Sequence, residues 1–222
     1  MSPRDRGVQD EIAIDIPGAS LRGNLGAPQD PAGIVLFAHG SGSSRHSPRN
    51  RSVAEVLQAA GLATLLMDLL TSEEEAVDQV TRELRFDIDL LSERLTSVID
   101  WTSRRQEMLG LPLGLFGAST GAAGALRTAA ERPEIVRAIV SRGGRPDLAG
   151  AARPRVQAPT LLIVGEADVQ VIPLNVSAQG QMRGPVQLVL VPGATHLFEE
   201  PGTLAAAAHL ARDWFLEHLP AA

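Results

Sequence analysis

The chain has 222 residues, with 26 acidic side chains against 20 basic ones and a formal charge of −6. Every basic residue is arginine, and cysteine and tyrosine are absent as well as lysine. That excludes disulfides, thiolate nucleophiles, cysteine-held metals and lysine-based Schiff-base or phosphate chemistry. A hydrophobic share of 44% against 21% charged fits a globular core, and scattered arginines on an acidic chain do not make the basic face of a nucleic-acid binder.

The length fits a single domain over residues 1–222. No apolar run approaches the roughly 18 residues of a membrane span. Residues 1–17 lack the apolar stretch of a signal peptide, so a cytoplasmic location and no membrane partner are expected.

Residues 11–16 alternate polar and apolar, turn at Pro17-Gly18 and continue through residues 20–25, the pattern of an antiparallel hairpin. Continuous apolar runs follow at 33–38, 63–67, 113–116, 135–141, 160–164 and 186–191. They predict parallel strands buried on both faces. Helical periodicity fills the gaps: 52–60, a short acidic helix opened by a capping box over 72–75, and 87–101 with Ile88, Leu91, Leu95, Val98 and Trp101 on one stripe. A last helix is predicted from Pro201, burying Leu204, Ala207, Ala208, Ala211, Trp214, Phe215 and His218. The carboxylates at 73–75 with Asp78 read as a solvated helix start, because consecutive helical residues diverge and the helix dipole favours acids there.

The segment Phe116-Gly117-Ala118-Ser119-Thr120-Gly121 carries the chemistry. It places Gly-x-Ser-x-Gly between a buried strand and a small-residue helix, the context in which a sharp turn lifts a serine hydroxyl off the sheet edge. The glycine spacing is not that of a dinucleotide loop. A serine needs a base. His196 follows the last strand, at the edge where parallel sheets build sites, whereas His209 and His218 lie on the last helix. The imidazole in turn needs a carboxylate, and Asp168 follows the strand at 160–164, with Glu166 as the alternative. For the oxyanion, the backbone N–H of Thr120 is one donor. The glycine-rich loop His39-Gly40-Ser41-Gly42 supplies the other, assigned to Ser41 with Gly42 as the fallback. His39 and Asp68 read as loop-fixing residues.

These motifs, in the order Ser119, Asp168, His196, resemble the α/β-hydrolases, and within them the small, lidless, dienelactone hydrolase-like branch. The resemblance runs over nearly the whole chain. It implies an α/β fold with a mostly parallel eight-stranded sheet, helices on both faces, no large lid, and hydrolysis of an ester or lactone without a cofactor or metal. Dienelactone hydrolases proper carry a cysteine where Ser119 stands, which turns the expectation towards a general serine esterase acting on a small-molecule ester or thioester.

Substrate contacts are expected from Gly40, Gly42 and an arginine. Arg45, Arg49, Arg51, Arg142 and Arg145 all fall on loops at the catalytic edge, and Arg142 is the best placed to hold a carboxylate or phosphate. Three readings stay open beside the esterase: an acyltransferase or perhydrolase on the same residues, a non-catalytic receptor or partner subunit on the same fold, and a homo-oligomeric form of any of them.

Overall fold

The computed structural model describes residues 9–219; the part of the N-terminal expectation that concerns residues 1–8 lies outside the described residues. The strands are β1 (Gln9–Ile16), β2 (Ala19–Gly26), β3 (Ile34–Ala38), β4 (Ala63–Met67), β5 (Leu113–Ala118), β6 (Val136–Arg142), β7 (Thr160–Gly165) and β8 (Val186–Val191). They form one sheet in the order β1-β2-β4-β3-β5-β6-β7-β8. The hairpin β1–β2 joins β4 antiparallel, and every pairing from β4 to β8 is parallel. Short parallel strands rich in Val, Leu, Ile and Phe need cover on both faces, and the helices supply it.

The helices are α1 (Pro48–Ala59), α2 (Ser72–Thr81), α3 (Ile88–Thr102), α4 (Thr120–Glu131), α5 (Ile172–Gln179) and α6 (Thr203–His218). Leu91, Leu95, Val98 and Ile99 of α3 and Leu126 of α4 cover the sheet face bearing Leu36, Leu65, Leu115 and Ile139. Val53 and Leu57 of α1 and Ala207, Ala211 and Phe215 of α6 cover the face bearing Val35, Phe37, Phe116 and Val140. Each large side chain so buried contributes about 1.5–3 kcal/mol. The two apolar faces make a three-layer sandwich and leave the carboxyl ends of β3 to β8 free to carry loops. Between β6 and β7 stand only 3₁₀ turns over Pro146–Arg155, so no inserted lid covers that edge. None of the described helices is long and apolar enough to cross a membrane.

Four expectations need correction. The capping box sits one residue earlier: Thr71 is the N-cap, its hydroxyl accepts from the Glu74 N–H at 3.2 Å, and Glu74 returns a carboxylate to the Thr71 N–H at 2.8 Å. Glu74 is drawn to that position because its second oxygen accepts from Arg94 at 2.6 Å. Pro201 lies outside α6, because Gly202 takes the left-handed cap at φ 83° and Thr203 donates to the Glu200 carbonyl. β8 is an edge strand and only Val191 in it is fully buried. Finally, Trp214 and His218 are half-buried, packed edge to face with centroids 4.3 Å apart, while the buried stripe of α6 runs through Phe215.

At the β5–α4 junction a side chain has no room. A Cβ on Gly117 would stand 2.4 Å from the Ala122 Cα, and one on Gly121 would stand 2.2 Å from the Ala38 carbonyl oxygen. Both obstacles are backbone, which has no rotamer to yield. Gly121→Ala is expected to cost about 3 kcal/mol or more, read as a shift of the denaturant midpoint.

Candidate active site

The parallel order β5-β6-β7-β8 sets three loops side by side at the carboxyl edge. Ser119 occupies the turn between β5 and α4 at φ 52°, ψ −121°, a conformation L-residues rarely adopt and one that costs about 1–3 kcal/mol. The turn is held from outside: the Ser119 N–H donates to the Arg142 carbonyl at 3.2 Å, and its own carbonyl accepts from the Arg145 N–H at 3.0 Å. His196 reaches over the end of β6, so close that a Cβ on Gly143 would lie 3.5 Å from its Nδ1.

His196 Nδ1 is 2.7 Å from Asp168 Oδ2, and its Nε2 is 3.3 Å from Ser119 Oγ. A carboxylate accepts only, so Nδ1 carries the ring proton and Nε2 offers its lone pair to the hydroxyl. The Asp168 side chain is 9% exposed, while that of His196 is 38% exposed. Glu166, the alternative acid, turns away and accepts the Gly193 N–H at 3.2 Å. Glu200 steadies the histidine loop by accepting from the Thr195 N–H and hydroxyl at 3.1 and 2.6 Å. These hydrogen bonds hold the Glu200 carboxyl below its ordinary range. Nothing in the local sequence announces that role.

The Ser41 N–H is engaged: it donates to the Thr120 hydroxyl at 2.9 Å. Ser41 Oγ lies 3.2 Å from the Arg85 carbonyl and 2.8 Å from Thr120 Oγ1. The Arg85 carbonyl only accepts, so the Ser41 hydroxyl donates to it and the Thr120 hydroxyl donates to Ser41. Thr120 Oγ1 thus fills the Ser41 donor from the position next to Ser119. Arg85 is itself held by Asp78, through Nε at 2.6 Å and its backbone N–H at 3.0 Å. Burial pushes the Asp78 carboxyl up, and the Arg85 hydrogen bonds more than reverse this, leaving it low. Asp78 is therefore an ion-pair anchor for the segment that holds the glycine-rich loop rather than part of a solvated acidic run.

His39 is buried at the root of that loop. Its Nε2 accepts the Leu69 N–H at 3.2 Å, so Nδ1 carries the proton and donates to the Gly40 carbonyl at 3.0 Å. Burial lowers its pKa from the ordinary 6.5, against the opposing pull of the Gly40 bond. A histidine neutral in the fold and protonated more readily when unfolded supports stability above pH 6.5, and that support is lost as pH falls through the lowered folded value. Denaturant midpoints of the wild type should fall as the pH drops below 6.5, and the His39→Gln profile should be flatter there.

Among the arginines of the edge, Arg45 pairs with Asp68 and with Glu11, Arg49 with Glu199 at 3.2 Å, and Arg145 with Asp147 at 2.7 Å. Arg51 meets His46 at 2.8 Å. Arg142 has no carboxylate partner among the described residues. On the far side of the glycine-rich loop opens a cleft of about 380 Å³ lined by His39, Ser43, Arg45, Asp68, Thr71 and Glu75.

A protein described as dienelactone hydrolase from Anabaena variabilis is 56% identical in sequence, with a TM-score of 0.95 over 97% of this chain and 100% of its own. Two proteins from strains of Mycobacterium tuberculosis, named phosphoribosyl transferase, are 57% identical over 216 residues. Those residues are 97% of this chain and 47% of theirs, so the chain spans about half the length of these relatives. Est1E from Butyrivibrio proteoclasticus shares the fold at 17% identity, with a TM-score of 0.78 over 94% of this chain and 98% of its own. The sequence model of the Dienelactone hydrolase family matches residues 21–219, and the chain belongs to that family of hydrolases.

Proposed function

We propose that the chain is a serine esterase that cleaves carboxylic ester, thioester or lactone bonds through an acyl-enzyme. The observation that carries this reading is the continuous line Ser119 Oγ, His196, Asp168 at 3.3 and 2.7 Å, with Ser119 at the apex of a strained turn. His196 Nε2 takes the hydroxyl proton as Ser119 Oγ bonds to the substrate carbonyl carbon. The negative charge moves to the carbonyl oxygen, which meets the Thr120 N–H at the start of α4. The Ser41 N–H becomes the second donor when the incoming oxygen displaces the Thr120 hydroxyl from it. Collapse breaks the bond to the alcohol oxygen, which leaves with the proton from His196, and water repeats the sequence on the acyl-enzyme.

The phosphoribosyl transferase name attaches to proteins about twice as long, and a serine–histidine–carboxylate line is equipment for acyl transfer. A panel of p-nitrophenyl esters of graded chain length, with lactones, tests the reading. Turnover with a fluorophosphonate label on Ser119 is expected. No turnover and no label would move the chain to the receptor class, and product dominated by a competing alcohol or peroxide would make it a transferase or perhydrolase.

A further inference from the structure

α2 does not dock by an apolar stripe. Of its ten residues only Asp78 is buried, while the neighbouring Val77 and Val80 face solvent. The side chains of Asp78 and its partner Arg85 are 1% and 19% exposed. An ion pair so placed gives up desolvation energy that apolar side chains of similar volume keep. What it supplies instead is a fixed geometry.

That geometry leads to the glycine-rich loop. The Asp78 carboxylate accepts from the Nε and the backbone N–H of Arg85, and the Asp78 carbonyl accepts from Arg85 Nη2 at 3.0 Å. One residue thus holds both the backbone and the side chain of Arg85. The held arginine in turn meets two consecutive loop residues. Its carbonyl accepts the Ser41 hydroxyl at 3.2 Å, and its Nη1 lies 3.1 Å from the place a Cβ on Gly42 would take, where the chain turns at φ 66°. Ser41 and Gly42 are the two candidates for the second oxyanion donor. With the Ser41 hydroxyl committed to Arg85, the Thr120 hydroxyl donates to Ser41 Oγ and accepts the Ser41 N–H. A line that starts on α2 therefore ends by aiming that N–H at the residue beside Ser119.

We infer that Asp78 and Arg85 are positioning residues for the second oxyanion donor and act through the Ser41 hydroxyl. The inference rests on the esterase reading above. Their hydrogen bonds go to each other and to Ser41, not to Ser119 or His196. A backbone N–H serves a developing oxyanion best when it is already aimed, because no reorganisation is then needed during the reaction. Slack in the loop should therefore lower kcat and leave ground-state binding nearly unchanged.

The test compares wild type, Ser41→Ala, Ser41→Thr, the double variant Asp78→Leu with Arg85→Met, and the triple variant that adds Ser41→Ala to it. All are assayed with p-nitrophenyl acetate well below their melting temperatures. Ser41→Ala keeps the N–H and loses the tie to Arg85. Its kcat is expected to fall about ten-fold with KM little changed, short of the roughly hundred-fold or greater loss that removal of an oxyanion donor brings. Ser41→Thr restores the hydroxyl and should recover most of the rate. The double variant exchanges a buried ion pair for apolar side chains, so it should stay folded while kcat falls by a similar factor. Because both changes act on one line, the triple variant should be no slower than the double. Affinity for 2,2,2-trifluoroacetophenone, whose adduct with Ser119 carries an oxyanion, should fall in step with kcat/KM. Wild-type kcat in Ser41→Ala overturns the proposal, and so does a triple variant in which the two losses multiply. If the double variant does not fold, Ser41→Ala and its rescue by Ser41→Thr decide the matter. If the wild type turns over no ester, the esterase reading falls by itself and deuterium exchange at the residue 41 amide decides the positioning. Exchange should be about ten-fold faster in Ser41→Ala than in the wild type, and equal rates overturn the proposal.

Discussion

Ser119→Ala is expected to lower kcat/KM for p-nitrophenyl esters by about four orders of magnitude or more, with the folded state intact. The hydroxyl oxygen is the only heavy atom lost, and among the described residues its side-chain hydrogen bond is the one to His196 at 3.3 Å. The residual rate should come from binding and from the Thr120 N–H. A companion variant separates chemistry from architecture. The backbone at 119 sits at φ 52°, ψ −121°, the mirror of an ordinary extended conformation, which glycine enters freely. Ser119→Gly should be just as inactive yet more stable by about 1 kcal/mol, after the entropy glycine adds to the unfolded chain is subtracted. That corresponds to a melting temperature about 2–4 °C higher. Equal or lower stability of the glycine variant would mean that the turn holds no strain.

Asp168→Asn should lower kcat by about ten-thousand-fold. The carboxylate accepts from His196 Nδ1 at 2.7 Å, which keeps the ring's lone pair on Nε2. An amide in the same place presents an N–H to Nδ1, the ring proton moves to Nε2, and the base faces the serine with the wrong edge. Glu166→Gln makes the contrast. Glu166 holds the Gly193 N–H at 3.2 Å, so its loss should change kcat by less than about ten-fold. If the two variants behaved alike, the acid of the line would have been assigned wrongly. Steady-state kinetics on one good p-nitrophenyl ester settles both.

The strands of the central sheet were legible because burial on both faces selects short, mostly apolar runs, and residues 63–67, with Thr64 the single polar member, read as strand from composition. The three-loop line was legible for a related reason. In a parallel sheet the carboxyl end of each strand is one edge, so Ser119, Asp168 and His196 share an address without any pairing information. What hid was decided by tertiary partners. α5 carries Ile172-Pro173-Leu174-Asn175-Val176, with no polar face to set a period, and its Asn175 is fully buried on the Gly144 carbonyl. The capping box slipped by one residue because Arg94, twenty positions away, selected Glu74. The loop's glycine content marks the Ser41 N–H as a candidate donor, but its hydrogen bond to Thr120 depends on side-chain geometry that no spacing encodes. Arg142 stood out as a candidate from its position alone, whereas its lack of a counter-charge is a property of the packed molecule.

If the chain is the esterase proposed above, its open imidazole bears on what becomes of the acyl group. More than a third of the His196 side chain faces solvent, and only 3₁₀ turns bridge β6 and β7 beside it. On the proposed esterase reading, an acyl group on Ser119 would meet bulk water directly, and hydrolysis would prevail over transfer by mass action, since the described residues build no roof over this edge.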